Sequence, residues 1–150
     1  MIEREQFLGF SDDALTAMVD IVTGLGDDLA NRRPDLPGAN SPVQILTHCL
    51  GVVGWWAGAV NLGRSVERDR DAEFEAVCRV ADLAADVETA RRRFHDDVAA
   101  ADLAAAPARV DDAHGYATQG VVLLHVYEEL AQHRGQMEIT RDVLVAAASS

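Results

Sequence analysis

The chain has 150 residues and a formal charge of −12, with 25 acidic against 13 basic side chains, and 49% of it is hydrophobic although only 5% is aromatic. That length and composition predict one domain, residues 1–150, with a core of Ala, Val and Leu. The acidic surface repels phosphate and carries no basic stripe, which argues against nucleic acid and anionic membranes as partners.

The first helix is expected from about Glu3 to Leu25, with Phe7, Phe10, Leu15, Met18, Val22 and Leu25 near helical spacing. Gly24 and Gly26 loosen its end, and the run from Arg33 through Pro34 and Pro37 to Gly38 is a loop. Ser41 followed by Pro42 is an N-cap with proline at the first helical position, so a second helix should start there and run to Leu62, stopped by Gly63. Its inward stripe reads Ile45, His48, Val52, Trp55, Ala59. A charged, irregular crossing fills 64–80, where AEFEAVCRV fits either an extended piece or a helical turn. The third helix, about Leu83 to Leu103, aligns Leu83, Val87, Ala90, Phe94, Val98 and Ala101. Pro107 and the polar DDAHGYAT stretch form the next loop. The fourth helix, about Thr118 to Ala146, turns Val122, Val126, Leu130, Met137 and Leu144 inward. The fold class is therefore all-α, an up-down four-helix bundle with a longer crossover between the second and third helices.

Two cysteines, Cys49 and Cys78, make neither a disulfide framework nor a Cys-x-x-Cys pair and read as small buried hydrophobes. MIEREQFLGF lacks the basic start and apolar run of a signal peptide, and no charge-free stretch of membrane-spanning length is evident. A soluble cytoplasmic protein is the expectation.

Glu129 and His133 stand four apart on the fourth helix, so both can aim at one point. His48 interrupts the apolar stripe of the second helix in the same way. Inward side chains of facing helices are where bundles build metal sites, and two imidazoles with one carboxylate form a three-ligand set with an open position. A hydrogen-bonded core histidine and a plain Glu–His ion pair are the competing structural readings. His125 shares the face, but about 12 Å of rise separates it from His133, too far for one ligand shell. His125 and Glu128 are therefore candidates for orienting the ligands from outside. Trp55 and Trp56 are candidates for a substrate pocket, with Trp55 the ring expected beside His48. His95 and His114 read as solvent-facing.

These segments resemble the DinB-like (DinB/YfiT) superfamily of metal-binding four-helix bundles over nearly the whole chain. GLGDDLANRRPDLPGANSPVQILTHCLGVVGWW is similar to its first loop and second helix, and LLHVYEELAQHRGQMEITRD to its last helix with the HRGQ ending. GRSVERDRDAEFE resembles the crossover of an actinobacterial branch. Many members carry His-x-x-x-His on the last helix; Glu129 replaces the first histidine here, as in the mycothiol-dependent maleylpyruvate isomerase group. The resemblance implies His48, Glu129 and His133 as ligands of a divalent ion, most often zinc, with nickel, manganese or iron open. It also implies a thiol S-transferase, with mycothiol, bacillithiol or glutathione attacking a small electrophile, and a bundle of this type is expected to form a homodimer. A metal-dependent hydrolase and a non-catalytic metal- or small-molecule-binding bundle are the alternatives.

Overall fold

The computed structural model describes residues 3–110 and 114–149. The described residues hold five α-helices, one of them continued by a π-helical segment, and no strand. Helix α1 spans Arg4–Ala30 and breaks at Gly26, whose φ of 70° is open to glycine at no steric cost. The first stretch thus stops where the paired glycines said it would, and one more turn follows. Asp27 and Asn31 in that turn reach the start of α4 (Val80–Ala100): Val80 N–H donates to Asp27 Oδ1 (2.7 Å), and Asn31 exchanges two hydrogen bonds with the Cys78 backbone.

Helix α2 (Pro42–Val53) opens on a buried capping box in which Ser41 and Gln44 each accept the other's backbone N–H. It continues as a π-helical segment, Gly54–Val60, and ends at Gly63, which has a φ of 70°. The short α3 (Arg70–Glu73), capped by Asp69, lies inside the crossover. Helix α5 (Gln119–Ala148) starts from Thr118, whose hydroxyl accepts the Val121 N–H. Helix α1 packs on α4 and α5, α2 on α5, α4 and α1, and α3 on α2. Between them lies a core that includes Leu15, Met18, Ile45, Leu46, Phe94, Leu130 and Met137, all fully buried.

Four sequence expectations need correction, the first being the span of α4, which starts at Val80 and ends at Ala100 rather than running from Leu83 to Leu103. Phe10 is 62% exposed rather than inward, lying edge-on to Tyr127 across α1 and α5. Trp56, not Trp55, is buried, because the π-helical turn beginning at Gly54 winds the chain more widely and rotates the following positions out of the α-helical register. Trp55 is half-buried under the Arg109 guanidinium. The run Pro42–Val60 is long and apolar enough to cross a membrane, contrary to the composition reading, yet most of it is packed inside the protein. The crossover carries a helical turn, so the helical alternative for AEFEAVCRV holds for its first residues. Of the DDAHGYAT loop, residues 111–113 lie outside the described residues.

Candidate metal centre

Helices α2 and α5 bring His48, Glu129 and His133 together, with one ligand atom from each within 4.8 Å of the others. The Glu129 Oε2 lies 3.6 Å from His48 Nε2 and 3.5 Å from His133 Nε2. Those spacings exceed a good N–H···O hydrogen bond of about 2.7–3.2 Å. They match the ~3.4 Å that separates donors on a tetrahedral ion with bonds of about 2.1 Å. The two rings stand nearly perpendicular, 4.9 Å apart, so both can direct an edge at one point.

The far nitrogen of each imidazole is already held. His48 Nδ1 lies 2.7 Å from Glu73 Oε2, and His133 Nδ1 lies 2.8 Å from Gln136 Oε1. A carboxylate only accepts, so the proton belongs on Nδ1 of His48 and leaves Nε2 with its lone pair bare. Phe74 stacks on the outer face of the His48 ring at 4.8 Å, and the Arg70 guanidinium lies over Phe74. The donor set thus fits a divalent cation of the nitrogen- and oxygen-seeking kind. Exposure runs one way across it: the His48 side chain is 5% exposed against 25% for Glu129 and 22% for His133. The centre is therefore approached from the α5 side.

Burial is the largest influence on His48 and lowers its pKa below the ordinary 6.5; the hydrogen bond to Glu73 opposes that, while His133 and Arg68 reinforce it. Between that lowered value and 6.5 the unfolded chain binds more protons than the folded one, so stability of the metal-free protein rises with pH there. The contribution is complete above pH 6.5 and is lost as the pH falls through the folded value. Thermal melts of metal-free wild type and His48→Gln should draw closer on acidification; a gap that stays constant would refute it.

Neither cysteine offers a nucleophile. Burial, with the charges of Glu129 and Glu73 adding to it, pushes the Cys49 thiol far above its usual range, and burial raises Cys78 as well.

A family model for mycothiol S-transferases matches residues 6–146. The chain belongs to the mycothiol S-transferase family. That family lies within the DinB-like superfamily. No curated protein matches the sequence.

Within this chain the remaining candidate residues fall into two groups. His125 is buried and meets Trp56 edge-on at 4.8 Å, while its Nδ1 lies 3.4 Å from the Glu128 carboxylate. His114 and Tyr116 complete a ring cluster with them at centroid distances of 5.1–5.8 Å. His125 thus sits one turn along α5 from Glu129, in the next layer of the α2–α5 interface. His114 is exposed but part of that cluster, and His95 pairs with Asp12 at 2.9 Å, half in solvent.

The partners Glu73, Arg68, Phe74 and Gln136 have no counterpart in the sequence reading. One signal was present: Gly51, Gly54 and Gly58 recur at helical spacing and strip one face of α2 and its π-helical continuation. A Cβ on Gly51 would overlap the Glu73 carboxylate, and Arg64, ion-paired to Asp97, lies where a Cβ on Gly58 would go. Spaced glycines on a helix mark the close passage of another segment.

Proposed function

We propose that this protein is a divalent-metal-dependent S-transferase that joins mycothiol, or a similar low-molecular-weight thiol, to a small electrophile. The observation that carries the reading is the convergence of His48 Nε2, His133 Nε2 and Glu129 Oε2 at spacings suited to an intervening cation, in a chain of the mycothiol S-transferase family. His48, Glu129 and His133 would hold the ion, with zinc the best match to two imidazoles, one carboxylate and an open position. When bound, the ion lowers the thiol's pKa so that the sulfur is a thiolate at neutral pH.

The protein's own groups do the rest. Neutral His48 and His133 direct bare nitrogens at one point, and Glu129 supplies the single negative charge among the ligands. Phe74 and the apolar stripe of α2 keep water from the buried side of His48. The electrophile's apolar part would lie toward Trp56 and Tyr116, one to two turns from the ligands, with Trp55 at the rim. His125 and Glu128 face that same layer and would orient the polar end of the electrophile. The thiol gives up its proton and its sulfur forms the new S–C bond. In a substitution the bond to the leaving group breaks and that group departs with the electron pair and the proton. In an addition the C=C π bond breaks and the far carbon takes its electron pair and then the proton.

Residues 1–150 are read as one domain in which the four long helices form an up-down bundle. The free cysteines and the small-thiol substrate suit a reducing cytoplasm. Exposed Phe10 and Leu124, near Tyr127, offer an apolar patch for a homodimer, and light scattering that returns a monomer mass would contradict it. Elemental analysis of purified wild type and His133→Ala tests the metal. About one ion per chain is expected in the first and a large loss in the second; an ion in neither removes the reading. Calorimetry with mycothiol then separates transferase from hydrolase, since a hydrolase has no reason to bind the thiol.

A further inference from the structure

Two charged side chains from the crossover, Glu73 and Arg68, stand directly behind His48. Glu73 is 7% exposed, and its two oxygens are fully engaged: Oε1 accepts from Arg68 Nε at 2.7 Å, and Oε2 accepts from Arg68 Nη2 at 3.0 Å and from His48 Nδ1 at 2.7 Å. This is a fork of guanidinium on carboxylate, itself largely buried, with the imidazole as third partner. The fork fixes the position of the Glu73 carboxylate in a place where an unpaired charge would be costly to bury. His133, by contrast, is backed by the neutral amide of Gln136 near the surface. The two histidines of the set are therefore supported very differently.

Resting on the metal reading above, we propose that Glu73 and Arg68 are a positioning pair for the metal centre, locking His48 in the tautomer and orientation that leave Nε2 free. A carboxylate behind a ligating imidazole fixes the ring and strengthens the lone pair on its far nitrogen, and loss of such a partner commonly weakens metal binding about 10- to 100-fold. Arg68 holds Glu73 by both oxygens, a geometry that lysine cannot reproduce. Gly51 is part of the device, because only a missing side chain lets the carboxylate lie against α2 within reach of His48. The competing explanation is an ion pair that merely pins the crossover to α2.

Nitrogen-15 NMR of histidine-labelled, metal-free protein separates the two. Wild type should show His48 protonated on Nδ1 alone, and Glu73→Ala should show a mixture of tautomers. Zinc affinity, measured against a chromophoric chelator, should fall about 10- to 100-fold in Glu73→Ala. Glu73→Gln should fall in between, since its amide oxygen still accepts the Nδ1 proton without the charge. Gln136→Ala should lose less than Glu73→Ala. Gly51→Ala displaces the carboxylate without changing its charge, and alanine favours the helix, so it should weaken zinc binding in a protein that still folds. The visible bands of cobalt-loaded protein should shift in Glu73→Ala. Unchanged tautomer, zinc affinity and cobalt bands in Glu73→Ala and Gly51→Ala, with only melting temperature lowered, would overturn the proposal. Wild type that binds no zinc would sink the metal reading instead, while the tautomer of the metal-free protein still decides whether Glu73 sets His48.

Discussion

Glu129→Gln is expected to abolish retention of the divalent ion proposed for this site, while Glu128→Gln leaves it intact. The two glutamates are chain neighbours, yet α5 turns them apart by about 100°. Glu129 faces both imidazoles at 3.5–3.6 Å, whereas the Glu128 side chain is 58% exposed and contacts His125 and Gln132. Glutamine keeps the size of Glu129 but removes the one negative charge of the donor set. The affinity loss should exceed the ~100-fold upper range for losing a partner outside the ligand set. Competition with a chelator measures both variants, and equal losses would mean that the wrong carboxylate has been assigned. Under the proposed function, thiol transfer should fall in step with metal content.

Phe94→Ala is expected to produce the largest loss of stability. The Phe94 ring is fully buried in α4 and meets the Phe7 ring of α1 at 5.9 Å. Removing it leaves a cavity between helices that cannot close around it, a change worth about 3–5 kcal/mol. For a chain of this size that corresponds to roughly 6–20 °C in melting temperature. Because the ligands sit on α2 and α5, zinc affinity measured well below the transition should hardly change. A stability loss under about 1 kcal/mol would show that α4 is not packed against α1 as described.

The same contrast, local signals against packing, separates what was legible from what was not. Helix starts were readable because their chemistry is local: Ser41 with Pro42 and Gln44, and Thr118, satisfy backbone N–H groups within three residues. The stop at Gly63 was readable for the same reason, since a φ of 70° suits glycine. The inward registers of His48, Glu129 and His133 followed from helical periodicity, and the three do converge. Trp56 was misjudged because a π-helical turn changes the period on which the stripe was counted, and no residue type announces it.

By itself the sequence determined the helical class, the capped starts at Ser41 and Thr118 and the three side chains that meet between α2 and α5, because each depends on spacing along a single helix. The start of α4 at Val80 rather than Leu83, without a side-chain cap, was not legible. Only the tertiary structure decided how those side chains are supported. Glu73 lies 25 residues from His48, and Arg68 lies 20, on a crossover without periodicity. Their contact depends on Gly51 letting one segment pass close to another. Such contacts come from how segments of different helices and loops fit together; the spaced glycines mark that another segment passes close, but nothing in the sequence says which side chains it brings.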